Sequence, residues 1–256
     1  MDTGVQMPAR AADQIVRLQA VHAANLTGQT VPGFRAEIGW PRSLGRSEEE
    51  SAQPAPRFAS RQLTDEGRTR TDFSPGALRL TGRDLDVAID GKGWILVQKE
   101  GQVAVTRNGQ LDQDADGQLQ VAGWQVMGGG GALTLPAHSR LSVASDGTVS
   151  VIPLGSATEE MVQVDRIRLV NPAEEQLRRA PGGVFVSDEV NEGMAEAPEV
   201  RLRAGTLEES NVDAAAELIA FISLGRAFEM NVKMMSTYKE TSISGDRLLR
   251  PDAQSG

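Results

Sequence analysis

Asp112, Asp114, Asp116 and Gly117 have the spacing of the first half of an EF-hand calcium loop, in which alternate carboxylates converge on one cation. That loop closes with a bidentate Glu at its twelfth position, and here the twelfth position is Gly123. The flanks also read as strands, so the triplet is read as an Asp-Gly turn on a wet edge. Gly91-Lys92-Gly93 and the glycine run 128–131 have the composition of phosphate loops. Neither stands between a strand and a helix or supplies the Lys-Ser/Thr that a phosphate cradle needs, so both are read as turns. The two histidines, His22 and His138, are unpaired in the sequence, and no serine stands in a nucleophile elbow. Carboxylates are numerous enough for a glycosidase pair, but one Tyr and three Trp leave little aromatic platform for a sugar. No catalytic, cofactor-binding or metal-ligating residue is assigned. The chain is read as a non-enzyme without cofactors.

What the residues do specify is helices at the ends. From Asn211, alternate steps of three and four residues reach Ala214, Leu218, Phe221, Gly225, Phe228, Val232 and Met235, a heptad-like seam suited to lying along another helix. Ser210 and Asp213 have capping-box spacing, and Glu208 and Glu209 place negative charge at the positive end of the helix dipole. Arg247, Arg250 and Pro251 suit its other end. Ile219, Ile222, Leu224, Met230 and Met234 lie off the seam, so one partner helix cannot cover all the apolar surface. Near the N-terminus, after a weakly patterned stretch 1–9, Ala11, Ile15, Leu18, His22 and Asn25 repeat the same alternation and Gly28 supplies a stop. His22 is read as a polar register residue between helices. The spacing therefore predicts helices over Ala11–Leu26 and Ser210–Arg247.

Between them the period changes to two. Leu85–Ile89 alternates, residues 94–97 are continuously apolar, and Asn108-Gly109, Asp116-Gly117 and Asp146-Gly147 supply turns. Short runs follow at close spacing as far as Val200–Leu202, the pattern of an antiparallel sandwich or barrel. Residues 41–75 are rich in Arg, Glu, Ser and Pro and read as a linker, with Glu48, Glu49 and Glu50 a solvated charge run. The expected fold class is α+β. Long N- and C-terminal helices pair as a coiled-coil-like helical domain (1–37 with 204–256), an extended linker covers 38–77, and an all-β domain is inserted at 78–203.

Across 256 residues the net charge is −9 and the sequence pI about 4.9, which argues against nucleic acid as a partner. The sequence has no run of eighteen apolar residues and no visible cleaved signal, so neither membrane insertion nor cleavage is expected. The absence of cysteine excludes disulfides and thiolate chemistry.

Four stretches together resemble the flagellar basal-body rod and hook family. They are NLTGQTVPGF at 25–34, TGRDLDVAIDGKGWILV at 81–97, TRNGQLDQDADGQLQVAGWQVMG at 106–128, and LEESNVDAAAELIAFISLGRAFEMNVKMM at 207–235. The motif residues that carry the resemblance are Gly33, Phe34, Asp86, Gly91, Gly93, Trp94, Asn108 and Gly109, and the run Phe228–Met234 is most similar to proximal-rod members. The resemblance implies a structural subunit of the rod that crosses the periplasm and transmits torque. Such a subunit is exported through the flagellar type III apparatus without a cleaved signal and assembles with other rod proteins. It further implies subunit contacts through Ile15, Leu18, Asn25, Leu26, Leu218, Phe221, Ile222, Gly225, Phe228, Val232 and Met235. A heterologous, non-closing contact between such subunits builds a helical tube. The competing reading is a soluble ligand- or carbohydrate-binding β domain with a helical dimerisation arm.

Overall fold

A computed structural model describes residues 3–39, 69–155, 160–191 and 193–249. The chain is mostly β. Among the described residues there are eighteen strands, with one α-helix at each end, α1 (Thr3–Gly28) and α2 (Ala214–Leu249). Two compact units are present. The first contains residues 1–26, 37–70 and 214–256, and the second residues 27–36 and 71–213.

In the first unit, α1 leads into β1 (Glu37–Gly39), which forms a two-stranded ladder with β2 (Thr69–Thr71). The covered side of α1 carries Ala12, Ile15, Leu18, His22 and Asn25, a helical repeat. Gly39 is small because Leu18 lies against it: a Cβ there would stand 2.5 Å from the leucine Cδ2.

The second unit is built on antiparallel strands. After β3 (Leu78–Leu80) and β4 (Val87–Asp90) come β5 (Trp94–Lys99), β6 (Gln102–Thr106), β7 (Asp112–Gln113), β8 (Leu119–Val121), β9 (Trp124–Gly128) and β10 (Gly131–Ala132). Then follow β11 (His138–Val143), β12 (Thr148–Pro153), β13 (Val162–Arg166), β14 (Leu169–Val170), β15 (Arg178–Ala180), β16 (Val184–Val186), β17 (Arg201–Ala204) and β18 (Thr206–Glu208). Nine of them form one sheet in the order β15-β16-β6-β5-β9-β8-β7, with β10 added to β9 and β14 to β5. A three-stranded sheet β11-β12-β13 and the pairs β17-β4 and β18-β3 complete the unit.

The large sheet explains why residues 94–97 are apolar without alternation. Ile95 and Val97 face one core with Leu111, Val126 and Val149, while Trp94 and Leu96 face a second with Val105, Phe185 and Val170. A strand buried on both faces has no polar side. In the second core Phe73, Trp94 and Phe185 form an aromatic cluster with centroids 5.1–5.9 Å apart, worth about 0.5–1.5 kcal/mol per pair beyond area burial.

Several expectations are corrected. The α+β reading, with long terminal helices paired as a coiled coil, does not hold. No described residue of α2 is fully buried, Leu218 and Val232 on the expected seam are 50% and 43% exposed, and the contact with α1 is polar. A coiled coil needs interlocking apolar knobs along the whole seam; here Glu217 occupies the contact instead. Helix α2 begins at Ala214 and not at Ser210, whose hydroxyl accepts the Val212 N–H at 3.3 Å in a local turn. Helix α1 begins at Thr3, inside the stretch expected to lack pattern. Asn108-Gly109 is not a hairpin turn. The β5–β6 hairpin turns at Glu100-Gly101 and the β8–β9 hairpin at Ala122-Gly123, with positive φ at both residues of each pair. Most of the expected 38–77 linker, including Glu48–Glu50, lies outside the described residues, as do Arg250 and Pro251.

Candidate assembly surfaces and the buried clasp

The motif residues Gly33, Gly91, Gly93 and Trp94, scattered through the sequence, meet at a cluster of two buried arginines and one glutamate. Gly91 and Gly93 flank a tight turn, with φ of +86° and +128°, that aims two carbonyls at the same point. Arg107 fills that point: its Nη1 donates to Gly93 O at 2.9 Å and its Nη2 to Gly91 O at 2.7 Å. Its guanidinium also lies 5.7 Å from the Trp94 ring centroid. The third nitrogen, Nε, stands 3.2 Å from Glu208 Oε2. On the other side, Arg35 Nη2 donates to Glu208 Oε1 at 2.7 Å, and that same oxygen accepts the Gly76 N–H at 3.0 Å. Arg35 and Glu208 are each 1% exposed.

Backbone bonds tie the same segments together. The Glu208 carbonyl accepts from Gly33 N at 2.7 Å, the Asn211 side chain accepts from Ala36 N at 2.7 Å, and its amide donates to Asp72 O at 3.0 Å. The result is a clasp joining the residues before β1, the residues before β3 and the end of β18. Gly33 has φ +68°, and a Cβ there would lie 2.3 Å from the Arg107 carbonyl carbon. A Cβ on Gly109 would lie 1.6 Å from the Val87 oxygen. Both glycines are close-approach positions. Phe34 packs over Gly28 and beneath the Arg179 guanidinium, 4.1 Å from its ring centroid. Asn108 accepts the Gln110 N–H at 3.0 Å, and Asp86 is buried beside Arg83. Burial is the main cause holding the Arg107 guanidinium below the ordinary arginine value, with the Glu208 charge opposing it.

Sequence reasoning missed this clasp. The sequence pattern places Glu208 at the helix dipole, but it is buried before the helix starts, and neither Arg35 nor Arg107 stands out in that pattern. The only available signal was a Glu next to a second Glu, with nothing to say that Glu208 faces inward while Glu209 pairs with Arg79 at the surface.

In the first unit, Glu217 links the helices. Its Oε2 pairs with His22 Nδ1, and its Oε1 accepts from Asn25 Nδ2 at 2.9 Å. Asn25, fully buried, also bonds both backbone groups of Glu37 at 2.8 Å, acting as an extra rung at the head of β1. Gly225 lies near the Gln19 amide. Along the same side of α2 as Glu217 lie Phe221, Leu224, Phe228, Asn231 and Met235, all half-buried. Of the expected contact residues, Phe221, Gly225, Phe228 and Met235 are on or beside that side. Leu218, Ile222 and Val232 are exposed. On α1, Ile15 and Asn25 are buried and Leu18 and Leu26 half-buried. The opposite side of α2 carries Ile219, Ile222, Met230 and Met234, exposed at 67%, 48%, 64% and 49%.

The Asp112–Asp116 triplet is committed elsewhere. Asp112 binds Arg83 at 2.6 Å, and Asp114 accepts from Asp116 N, Gln118 N and the Gln120 amide. Among the described residues no helix is long and apolar enough to cross a membrane.

The second unit is thus held by close-approach glycines and a buried clasp, while α2 carries Ile219, Ile222, Met230 and Met234 exposed. The family description "Flagellar hook protein FlgE/F/G D1 domain" matches residues 88–151, and "Flagellar basal body rod FlgEFG protein C-terminal" matches residues 203–248. The chain is 33% identical to the flagellar basal-body rod protein FlgF of Salmonella typhimurium over 97% of this chain and 99% of that one. It is 32% identical to FlgF of Escherichia coli, again over 97% and 99%. To the rod protein FlgG of Bacillus subtilis it is 30% identical over 68% and 69%. The chain belongs to the flagellar basal-body rod protein family. It is a structural subunit of the basal-body rod, and within the family it is most like FlgF.

Proposed function

We propose that this subunit sits in the proximal part of the rod and assembles with itself and with other rod proteins through its terminal segments. The result is a helical tube that crosses the periplasm and transmits torque. The observation that supports this most is the outer side of α2, where Ile219, Ile222, Met230 and Met234 stand together in water. A monomer rarely keeps such a stripe uncovered, and a non-closing contact made by it generates a tube. Ile15, Leu18, Leu26, Phe228 and Met235 then set the position of α1 and α2 within the subunit. Leu218, Ile222 and Val232 meet neighbours. The chain is exported by the flagellar type III apparatus without a cleaved signal and carries out no catalysis.

The competing sugar-binding reading can be tested on a cavity of about 420 Å³ lined by Val31, Pro32, Arg79, Leu207 and Glu209 among others. No aromatic side chain lines it, so it lacks the stacking platform such a module uses. Cells lacking the chain are expected to be non-motile and to yield basal bodies without a complete rod, both restored by supplying it. Complete rods in its absence would overturn the assignment.

A further inference from the structure

Strand β3 is an unguarded sheet edge. It pairs only with β18, in the register Leu80↔Thr206, Arg79↔Leu207 and Leu78↔Glu208. The flanking bonds are Glu209 N to Ala77 O and Thr81 N to Gly205 O, both 2.8 Å. In an antiparallel ladder hydrogen-bonded and non-bonded pairs alternate. Ala77, Arg79 and Thr81 therefore spend their backbone groups on β18, and the N–H and C=O of both Leu78 and Leu80 point off the other edge. Among the described residues no strand meets that edge. Leu80 is 81% exposed, the most exposed large apolar side chain among the described residues, and Leu78 is 44% exposed. Edge strands are usually defended by charge. Here the single charge, Arg79, is held at 2.9 Å by Glu209 of its own chain.

The edge is self-complementary. Leu78-Arg79-Leu80 reads the same in both directions, so two copies related by a two-fold axis through Arg79 bring Leu78 opposite Leu80 of the second copy, twice. The four outward backbone groups of each copy then find partners, and four leucines gather on one face. The two arginines lie on the opposite face, each already neutralised. We propose that β3 is a homophilic docking strip by which two copies of this chain join their β units into the sheet β18-β3-β3-β18. The contact is small and isologous, distinct from the open contact proposed for α2, and it belongs to the subunit before the rod takes it up. It does not depend on the rod assignment.

The absence of cysteine makes the register directly readable. On the axis the two Arg79 Cα atoms form a non-hydrogen-bonded pair about 4.5 Å apart, within the range for a disulfide. Two Leu80 residues stand diagonally, about 7–8 Å apart, outside it. Arg79→Cys, Leu78→Cys and Leu80→Cys chains are purified, oxidised and run on non-reducing gels, with the exposed Gln163→Cys as the background. Expected are disulfide dimers from Arg79→Cys alone, at least tenfold faster than background, and from mixed Leu78→Cys and Leu80→Cys, but not from either of those two singly. The strip is overturned if Arg79→Cys links no faster than Gln163→Cys. It is equally overturned if all three β3 variants link alike, which is the pattern of chance collision in dimers held through α2.

Discussion

Glu208→Ala is expected to destabilise the β unit by about 3–5 kcal/mol, the cost of leaving buried charge without its partner. The carboxylate stands within contact distance of both Arg35 and Arg107, which are 1% and 6% exposed. Removing Glu208 takes away the carboxylate that stands between these two guanidiniums out of water. Gly76 N–H loses its acceptor as well. Urea denaturation of the purified chain checks this, read by tryptophan fluorescence, to which the buried Trp94 and Trp124 of the β unit contribute. A midpoint unchanged from the parent would mean that the clasp is not a structural support. Glu208→Gln keeps an acceptor for Arg35 and Gly76 and is expected to lose less.

Ile222→Asp combined with Met230→Asp is expected to abolish incorporation of the subunit into basal bodies while leaving the urea midpoint of the β unit within about 0.5 kcal/mol of the parent. Both side chains stand in water in the free chain, so a carboxylate there costs little. Once a neighbour covers them, each carboxylate is buried without a partner, and that penalty is several kcal/mol per site. Quantifying the subunit by immunoblot in isolated basal bodies, beside its level in whole cells, separates failed assembly from failed accumulation. The comparable change at Phe228 is less informative, because Phe228 is half-buried in the subunit itself.

How far the sequence could be read differs between the two ends. On α1 the apolar repeat has one side, and Ile15, Leu18, His22 and Asn25 lie on the side the structure covers. Helix α2 is apolar almost all round. Periodicity identifies a face only when another face is polar, so the seam through Leu218, Phe221, Phe228 and Val232 mixes half-buried with exposed positions, and Glu217, which meets α1, lies off it. The error in fold class has the same origin: two apolar repeats suggested a paired coiled coil, while the actual link is one Glu217 carboxylate on His22 and Asn25. In the β unit the apolar runs placed most strands, but two hairpins turn at Glu100 and Ala122, residue types that seldom adopt positive φ. The motif glycines were visible as a pattern. That Gly33, Gly91 and Gly93 all serve a single arginine, Arg107, is a long-range fact that no local pattern carries.

The most direct test of the account is a tryptic footprint of α2 in the free chain and in isolated basal bodies, read by mass spectrometry. Arg226 and Lys233 are exposed and alternate with Ile222, Met230 and Met234 along the helix. If that side is where subunits meet, cleavage after both residues is rapid in the free chain and slowed at least tenfold in the basal body, with exposed β-unit sites such as Arg140 changing much less. Equal cleavage of Arg226 and Lys233 in the two states would contradict the assignment of α2 as the assembly surface.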